Sequence, residues 1–263
     1  MAFYPQLATG AAAQYPLAKT RRYRTTRNLS AEGRLIAVAD SGGAAVDWEL
    51  RYRGLTTAEW QSIETLFAQS EGRKGAFTFV DPADNLLAFS QDLLATPWSR
   101  DPLLQVTGGM ADPAGGTAGF RLVNSGQTTQ AIGQSMAGTG RFHYCFSVHL
   151  RSQSGGTVTL KQASASTVQS RVVAAGANWG RKFLSGSLGV DEWPLAFSME
   201  LAPGASVDVY GAQVDAQPAP GPYRKTLARS GVYESARFDQ DEIGVVTEGP
   251  ERHSLTVRIT SRP

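Results

Sequence analysis

Residues 55–81 read LTTAEWQSIETLFAQSEGRKGAFTFVD, and this stretch decides the fold because both of its elements mark their own ends. Thr56 is a suitable N-cap. Glu59 stands three residues on, the spacing at which two side chains satisfy two orphan backbone donors. Trp60, Ile63, Leu66 and Phe67 recur at helical spacing and form one apolar stripe. Gly72 stands where a left-handed residue ends a helix. Ala76 to Val80 then reads as a strand, stopped by Asp81-Pro82. Full burial of each large side chain on the stripe is worth roughly 1.5–3 kcal/mol, so the helix needs a sheet to cover it.

Working outward toward the N-terminus, Val46 to Tyr52 alternates cleanly. Val46, Trp48, Leu50 and Tyr52 share one face, and Asp47, Glu49 and Arg51 the other, the pattern of a half-buried antiparallel strand. Arg34 to Val38 is a short strand, and Asp40-Ser41-Gly42-Gly43 is expected to be a turn. Lys19 to Arg27 carries five cations in nine residues. It reads as a solvated strand face, with a patch for an acidic partner as the alternative; it lacks the aromatic ladder that binds single-stranded nucleic acid. Residues 1–20 read as an extended arm or an edge strand.

Toward the C-terminus the texture changes at Asn85. From there to about Thr226 short strands alternate with Gly-rich turns and no helix is evident. The clearest strand is Arg141 to Arg151, with Phe142, Tyr144, Phe146, Val148 and Leu150 on one face. Thr157–Leu160, Ser170–Val173, Leu195–Glu200 and Ser206–Val214 are further strands. Many strands at this spacing indicate a β-sandwich or jelly roll. Gln217 to Pro222 (QPAPGP) reads as a stiff exit linker. Tyr233–Phe238, Ile243–Thr247 and Ser254–Thr260 are strands that need partners, since three strands rarely make a domain. The expectation is a mainly β chain in which 1–84 and 227–263 form one small α+β unit, a β-sandwich plus one helix. Residues 85–226 are then inserted as a jelly-roll domain.

The composition bounds the function. The chain has 263 residues, 41% apolar and only 18% charged, with 28 glycines. A net charge of +2 is too small to argue for nucleic acid or an anionic membrane. No apolar run approaches the ~20 residues a bilayer needs, so no membrane insertion is expected. MAFYPQLATG lacks the basic and apolar regions of an export signal. The single cysteine, Cys145, excludes an internal disulfide framework.

Candidate chemistry is sparse. His143, Cys145 and His149 share a strand face, but residues six apart on a strand are about 20 Å apart and cannot share one metal ion. Gly133 to Ala137 (GQSMA) misses the nucleophile-elbow pattern at its fifth residue. No phosphate-cradling loop or dinucleotide fingerprint exists, so no cofactor is expected. Asp191/Glu192 and Asp239/Asp241/Glu242 read as loop surface rather than paired catalytic acids or a calcium site. For a saccharide, a flat aromatic ring is the usual platform. Trp193, beside Asp191, Glu192 and Pro194, is the candidate on a loop, with Asp191 and Trp98 completing a ligand-binding set. Trp179 and Tyr144 read as core.

Two stretches carry a resemblance. Val46 to Tyr52, then Gly54-Leu55-Thr56 opening the helix, then Gly75 to Pro82 (GAFTFVDP) resemble the distal tail proteins and related minor tail proteins of long-tailed bacteriophages. Asn85 to Asp92 (NLLAFSQD) followed by Trp98, with Val209 to Val214 (VYGAQV) and Pro222-Tyr223-Arg224, resemble the carbohydrate-binding-like jelly rolls of phage structural proteins. The resemblance implies a virion structural protein of the tail tip or baseplate, not an enzyme. It implies a self-assembled ring, often a hexamer, placed between the tail tube protein and the hub or tip proteins. The inserted module would face outward toward host glycan or other tail proteins. The alternative is a stand-alone carbohydrate-binding protein; an enzyme comes third.

Overall fold

The computed structural model describes residues 1–262, the side chain at position 41 apart. In chain order the elements are β1 (Ala18–Leu29), β2 (Leu35–Leu55), α1 (Thr57–Gln69), β3 (Phe77–Val80), β4 (Ser99–Arg100), β5 (Leu104–Met110), β6 (Gly119–Asn124) and β7 (Gln130–Met136). They continue with β8 (Tyr144–Arg151), β9 (Thr157–Ala163), β10 (Val168–Ala174), β11 (Gly180–Gly186) and β12 (Leu195–Leu201). The last are β13 (Ser206–Asp215), β14 (Val232–Phe238), β15 (Val246–Gly249) and β16 (Arg252–Ser261). The chain is mainly β, with antiparallel sheets and α1 as the one α-helix among the described residues.

The chain divides into two compact units. The first comprises Met1–Ala8, Ala13–Phe79 and the residues from Tyr233 onward; the second comprises Thr9–Ala12 and Val80–Val232. The sequence reading set the boundaries at 84/85 and 226/227. They fall further out because the entering and leaving segments bond to each other: Asp81 N–H donates to Gly231 O at 2.8 Å, and Gly231 N–H to Asn85 O at 2.7 Å. Thr9–Ala12 join the second unit, where Ala12 N–H donates to Ala216 O at 3.1 Å.

In the first unit six strands form one sheet in the order β1-β2-β16-β14-β3, with β15 also paired to β16. Ile259 lies opposite Trp48, Val257 opposite Leu50 and Leu255 opposite Tyr52. These six side chains form the core with Phe77, Phe79 and Phe238, and α1 covers them with Ile63 and Leu66. Trp60 and Phe67 are partly buried at the margin. The Trp48 ring meets Phe79 and Tyr233 edge-on at 4.9 and 4.6 Å, the geometry aromatic quadrupoles prefer. The helix start is a complete capping box formed by Thr56 and Glu59. Its end carries two left-handed residues, Glu71 and Gly72.

The stretch 40–43 is not a turn between two strands; β2 runs through it for 21 residues. Arg22 pairs with Ala45 and Arg24 with Asp40, so residues 41–44 all stand opposite Tyr23. The expected turn is absorbed as a bulge, which lengthens one strand against its partner without ending the ladder. Arg22 forms an ion pair with Asp47 below the bulge, and Arg24 one with Asp40 above it.

The second unit is a sandwich of two five-stranded sheets, β10-β9-β12-β7-β4 and β11-β8-β13-β6-β5. Leu160, Phe197, Met199 and Ile132 from one sheet are buried, as are Tyr144, Phe146, Val148 and Leu150 from the other. Phe197 meets Tyr144 and Phe146 edge-on at 5.9 and 5.8 Å. Alternation in β8 and β12 places these rings inward. Asn85, fully buried, closes the unit. Its Nδ2 donates to Ala212 O and Arg224 O, and its Oδ1 accepts from the N–H groups of Leu87 and Val214. Gly133 to Met136 of the GQSMA stretch lie at the end of β7, so Ser135 sits in a ladder and not on a strand-to-helix turn.

Candidate functional site

The loop 187–194 joins β11 to β12 and so crosses from one sheet of the sandwich to the other. Three backbone hydrogen bonds to Gly140 hold it. Leu188 and Gly189 both donate N–H to Gly140 O, at 2.9 and 3.0 Å, and Gly140 N–H donates back to Glu192 O at 2.9 Å. Ser187 Oγ–H lies within reach of Gly140 O and Arg141 O, at 3.0 and 2.9 Å. Gly140 is required here, because a Cβ at that position would lie 2.8 Å from Val190 O.

Side chains complete the tethering. Asp191 accepts from Thr139 Oγ1 at 3.2 Å and pairs with Arg141 Nε at 3.3 Å. Glu192 reaches the turn after β9. It accepts from Ser164 Oγ at 2.6 Å, Ser166 Oγ at 2.6 Å and Ser166 N–H at 2.9 Å. The hydroxyls of Ser164 and Ser166, then the Ser166 amide, hold the Glu192 carboxyl below the usual carboxylate range. On this braced loop Trp193 is 51% exposed. The arrangement offers an apolar plate with a carboxylate and a guanidinium close by in sequence and contact, held still before any ligand arrives.

The structure separates the sequence-predicted residues. Trp193 and Asp191 share the braced loop. Trp98 does not join them: it is 6% exposed, and its Nε1–H donates to Phe89 O at 3.0 Å. Apolar burial plus one satisfied indole donor makes Trp98 a core residue. Tyr144 is buried in the sandwich, and burial pushes its phenol far up. Trp179 is only partly buried, with the Arg151 guanidinium 4.7 Å from its ring. Cys145 is fully buried, its thiol pushed up to about 12, chiefly by burial. His143 Nε2 lies 3.0 Å from Ser185 Oγ, and burial holds the His149 imidazole below its ordinary value. Among the described residues no group of three or more His, Cys, Asp or Glu side chains converges as a metal site would.

Sequence reasoning missed a polar cluster under the 216–226 segment. That segment is no free linker. Arg181 Nη1 donates to Gly221 O, Gln213 Nε2 to Pro222 O, and Arg224 N–H to Gln213 Oε1 at 2.7 Å. Asp215 lies buried in this cluster, and burial raises its carboxyl above the usual range in spite of donors from Gln213 and Gly221. A buried Asp-Gln-Arg set spread over 181–224 has no local signature. Gln213 and Asp215 are two residues apart on β13, and the fold brings Arg181 of β11 and Arg224 of the following segment to them.

The sandwich also has a shallow depression of about 170 Å³ on the outer face of the β7–β12 sheet, lined by Ser99, Arg100, Asp101, Gly133, Ser135 and Ser198. Among the described residues this sheet carries no exposed aromatic ring. The exposed aromatic rings among the described residues of the sandwich unit are Trp193, on the loop, and Phe183, on β11 of the other sheet.

No family profile matches the chain, and no curated protein sequence does. Solved structures of similar fold include a xylan-binding domain of carbohydrate-binding module family 22, with a TM-score of 0.43 and 14% identity, covering 53% of this chain and 99% of that one. Another is the enzymatically active domain of bacteriophage CBA120 tailspike protein 4, with a TM-score of 0.42 and 9% identity, covering 52% of this chain and 22% of that one. A third is TmCBM61 in complex with β-1,4-galactotriose, with a TM-score of 0.35 and 14% identity, covering 49% and 97%. The chain thus spans under a quarter of the tailspike domain, while about half of it suffices to cover nearly all of either binding module.

Proposed function

We propose that this chain is a structural component of a phage tail tip, of the distal-tail kind, whose sandwich unit presents Trp193 to a glycan. The observation that carries the saccharide part is the exposed indole on a loop tied to two neighbouring turns. The tail-tip part is supported by the resemblance of residues 46–82 and by a scaffold closed by both chain ends around an inserted sandwich. In this reading copies of the chain form a ring, often hexameric in the resembling proteins, in contact with the tail tube and hub proteins of a virion. The role is binding and not catalysis: both Glu192 oxygens are already taken by Ser164 and Ser166.

Repetition gives such a site its usefulness. A single sugar site at ~1 mM supplies about −4 kcal/mol. Several copies on one rigid particle convert later contacts into intramolecular ones. A glycan array probed with the wild type and with Trp193→Ala tests the reading: a bound glycan class whose signal the variant loses is expected. Absence of any glycan bound by the wild type overturns the saccharide part. Negative-stain images showing particles without ring views overturn the assembly part. A chain that binds glycan yet remains a monomer is the stand-alone binding protein instead.

A further inference from the structure

The first unit carries a two-stranded ribbon that leaves its own apolar side chains in water. Beyond the bulge at Tyr23, β1 and the first part of β2 pair only with each other. Tyr23 is 77% exposed, Leu29 71% and Leu35 63%, and Ile36 and Val38 are exposed as well. The register sorts them onto both faces. Thr26 and Val38, then Asn28 and Ile36, lie on one face; Arg27 and Ala37, then Leu29 and Leu35, lie on the other. An isolated two-stranded ribbon is marginal in water, and an exposed apolar ribbon invites pairing with another chain. A partner that covers it would stabilise it.

Charge selects the partner. Residues 18–40 hold six cations, Lys19, Arg21, Arg22, Arg24, Arg27 and Arg34, against Glu32 and Asp40. Since the whole chain is +2, the remainder is net negative. That negative charge is concentrated in residues 239–251. The segment has five acids (Asp239, Asp241, Glu242, Glu248 and Glu251), no cation, and exposed Val245 and Val246. Arg22 and Arg24 are answered locally by Asp47 and Asp40, whereas among the described residues the side chains of Arg27 and Arg34 have no ion pair. Glu242 likewise has none, and Glu248 accepts only from Ser254 Oγ.

We propose that the 18–40 ribbon of one copy docks on the acidic 239–251 segment of a second copy. The ribbon brings an apolar ladder edged with arginine, and the segment brings exposed valines edged with carboxylates. Two different patches meet, so the contact is head-to-tail and propagates to a closed ring or an open filament. The inference rests on the assembly part of the reading above and is independent of the saccharide part.

A charge-swap experiment tests it on the full chain. Association is followed by sedimentation at two salt concentrations for the wild type, for Arg27→Glu/Arg34→Glu, and for Glu242→Lys/Glu248→Lys. Each double variant alone is expected to raise the dissociation constant about tenfold or more, and an equimolar mixture to restore it to within about threefold, because reversed patches match each other across copies. Restoration also shows that both variants are folded. Leu35→Ser is expected to weaken association without changing its salt dependence. If the wild type assembles and the reversed variants assemble equally well, the inference falls and the ring stands on another surface. A wild type that stays monomeric overthrows the inference and the assembly reading together, leaving Trp193 untouched. If the ribbon variant loses retention on single-stranded DNA while self-association is unaffected, the ribbon serves nucleic acid and the proposal is wrong.

Discussion

Trp48 of β2 and Ile259 of β16 stand directly opposite each other at the centre of the first unit, both buried. Strand β16 therefore completes a core most of whose members lie before residue 80, with Ala236 and Phe238 of β14 joining them. Ile259→Ala removes methyl groups where the aromatic neighbours cannot easily close in, and is expected to cost about 2–5 kcal/mol. Chemical denaturation of wild type and variant measures it. A loss below about 1 kcal/mol would mean that β16 contributes little to this core.

Gly140 braces the loop that carries Trp193 through backbone bonds to Leu188, Gly189 and Glu192. Gly140→Ala sets a methyl group against Val190 O at 2.8 Å and must displace the loop or the turn beneath it. The expected result is weakened glycan binding with Trp193 still present. Trp193→Ala, by contrast, should leave stability within about 0.5 kcal/mol of wild type, as exposed substitutions do. Equal glycan affinity in Gly140→Ala and wild type would show that the loop geometry is irrelevant to binding.

The helix start can be dismantled in two steps. Thr56→Ala removes one cap oxygen and is expected to cost about 1 kcal/mol. Glu59 accepts from both Thr56 N–H and Ala8 N–H, at 2.9 and 2.8 Å. Glu59→Ala should therefore cost more than Thr56→Ala, about 1–3 kcal/mol, because it strands a donor from the N-terminal segment as well. Thermal unfolding of the two variants ranks them, and the reverse order would contradict this account.

Two aspartates of the sandwich titrate in opposite senses. Burial alone would raise Asp208, but the guanidinium groups of Arg121 and Arg151, each donating at 2.8 Å, outweigh it and hold the carboxyl below its ordinary 3.8. A depressed acid contributes stability that is present above pH 3.8 and lost as pH falls through the folded value. Asp215 is raised by burial, so it subtracts stability as pH climbs above 3.8 through its raised value. Asp208→Asn should cost about 1.5–3 kcal/mol at pH 7, toward the lower figure because Arg121 is half-exposed, and should flatten the acid limb. Asp215→Asn should remove the decline on the rising side. Urea midpoints across pH 2–7 read both slopes, and identical profiles in all three proteins would refute the assignment.

The sequence by itself determined what depends on neighbours along the chain. Thr56, Glu59 and Gly72 fixed where the helix begins and ends, because capping uses side chains within a turn of the backbone groups they satisfy. The alternation in 46–52 and 144–150 fixed which side chains turn inward, because strand geometry alternates with every residue. Trp193 was legible as a loop residue from Asp191, Glu192 and Pro194 around it.

Only the tertiary structure decided what depends on partners far away. The turn expected at 40–43 became a bulge because β1 continues alongside it and supplies ladder bonds past Tyr23. Trp98, a plausible sugar plate in sequence, was withdrawn into the core by a carbonyl at Phe89. Residues 217–222 read as a stiff linker from their prolines, yet they cover a buried Asp215 that β13 carries to them. Local sequence sets each residue's preference; which surface meets it, and whether water is left between, is settled when distant strands take their register.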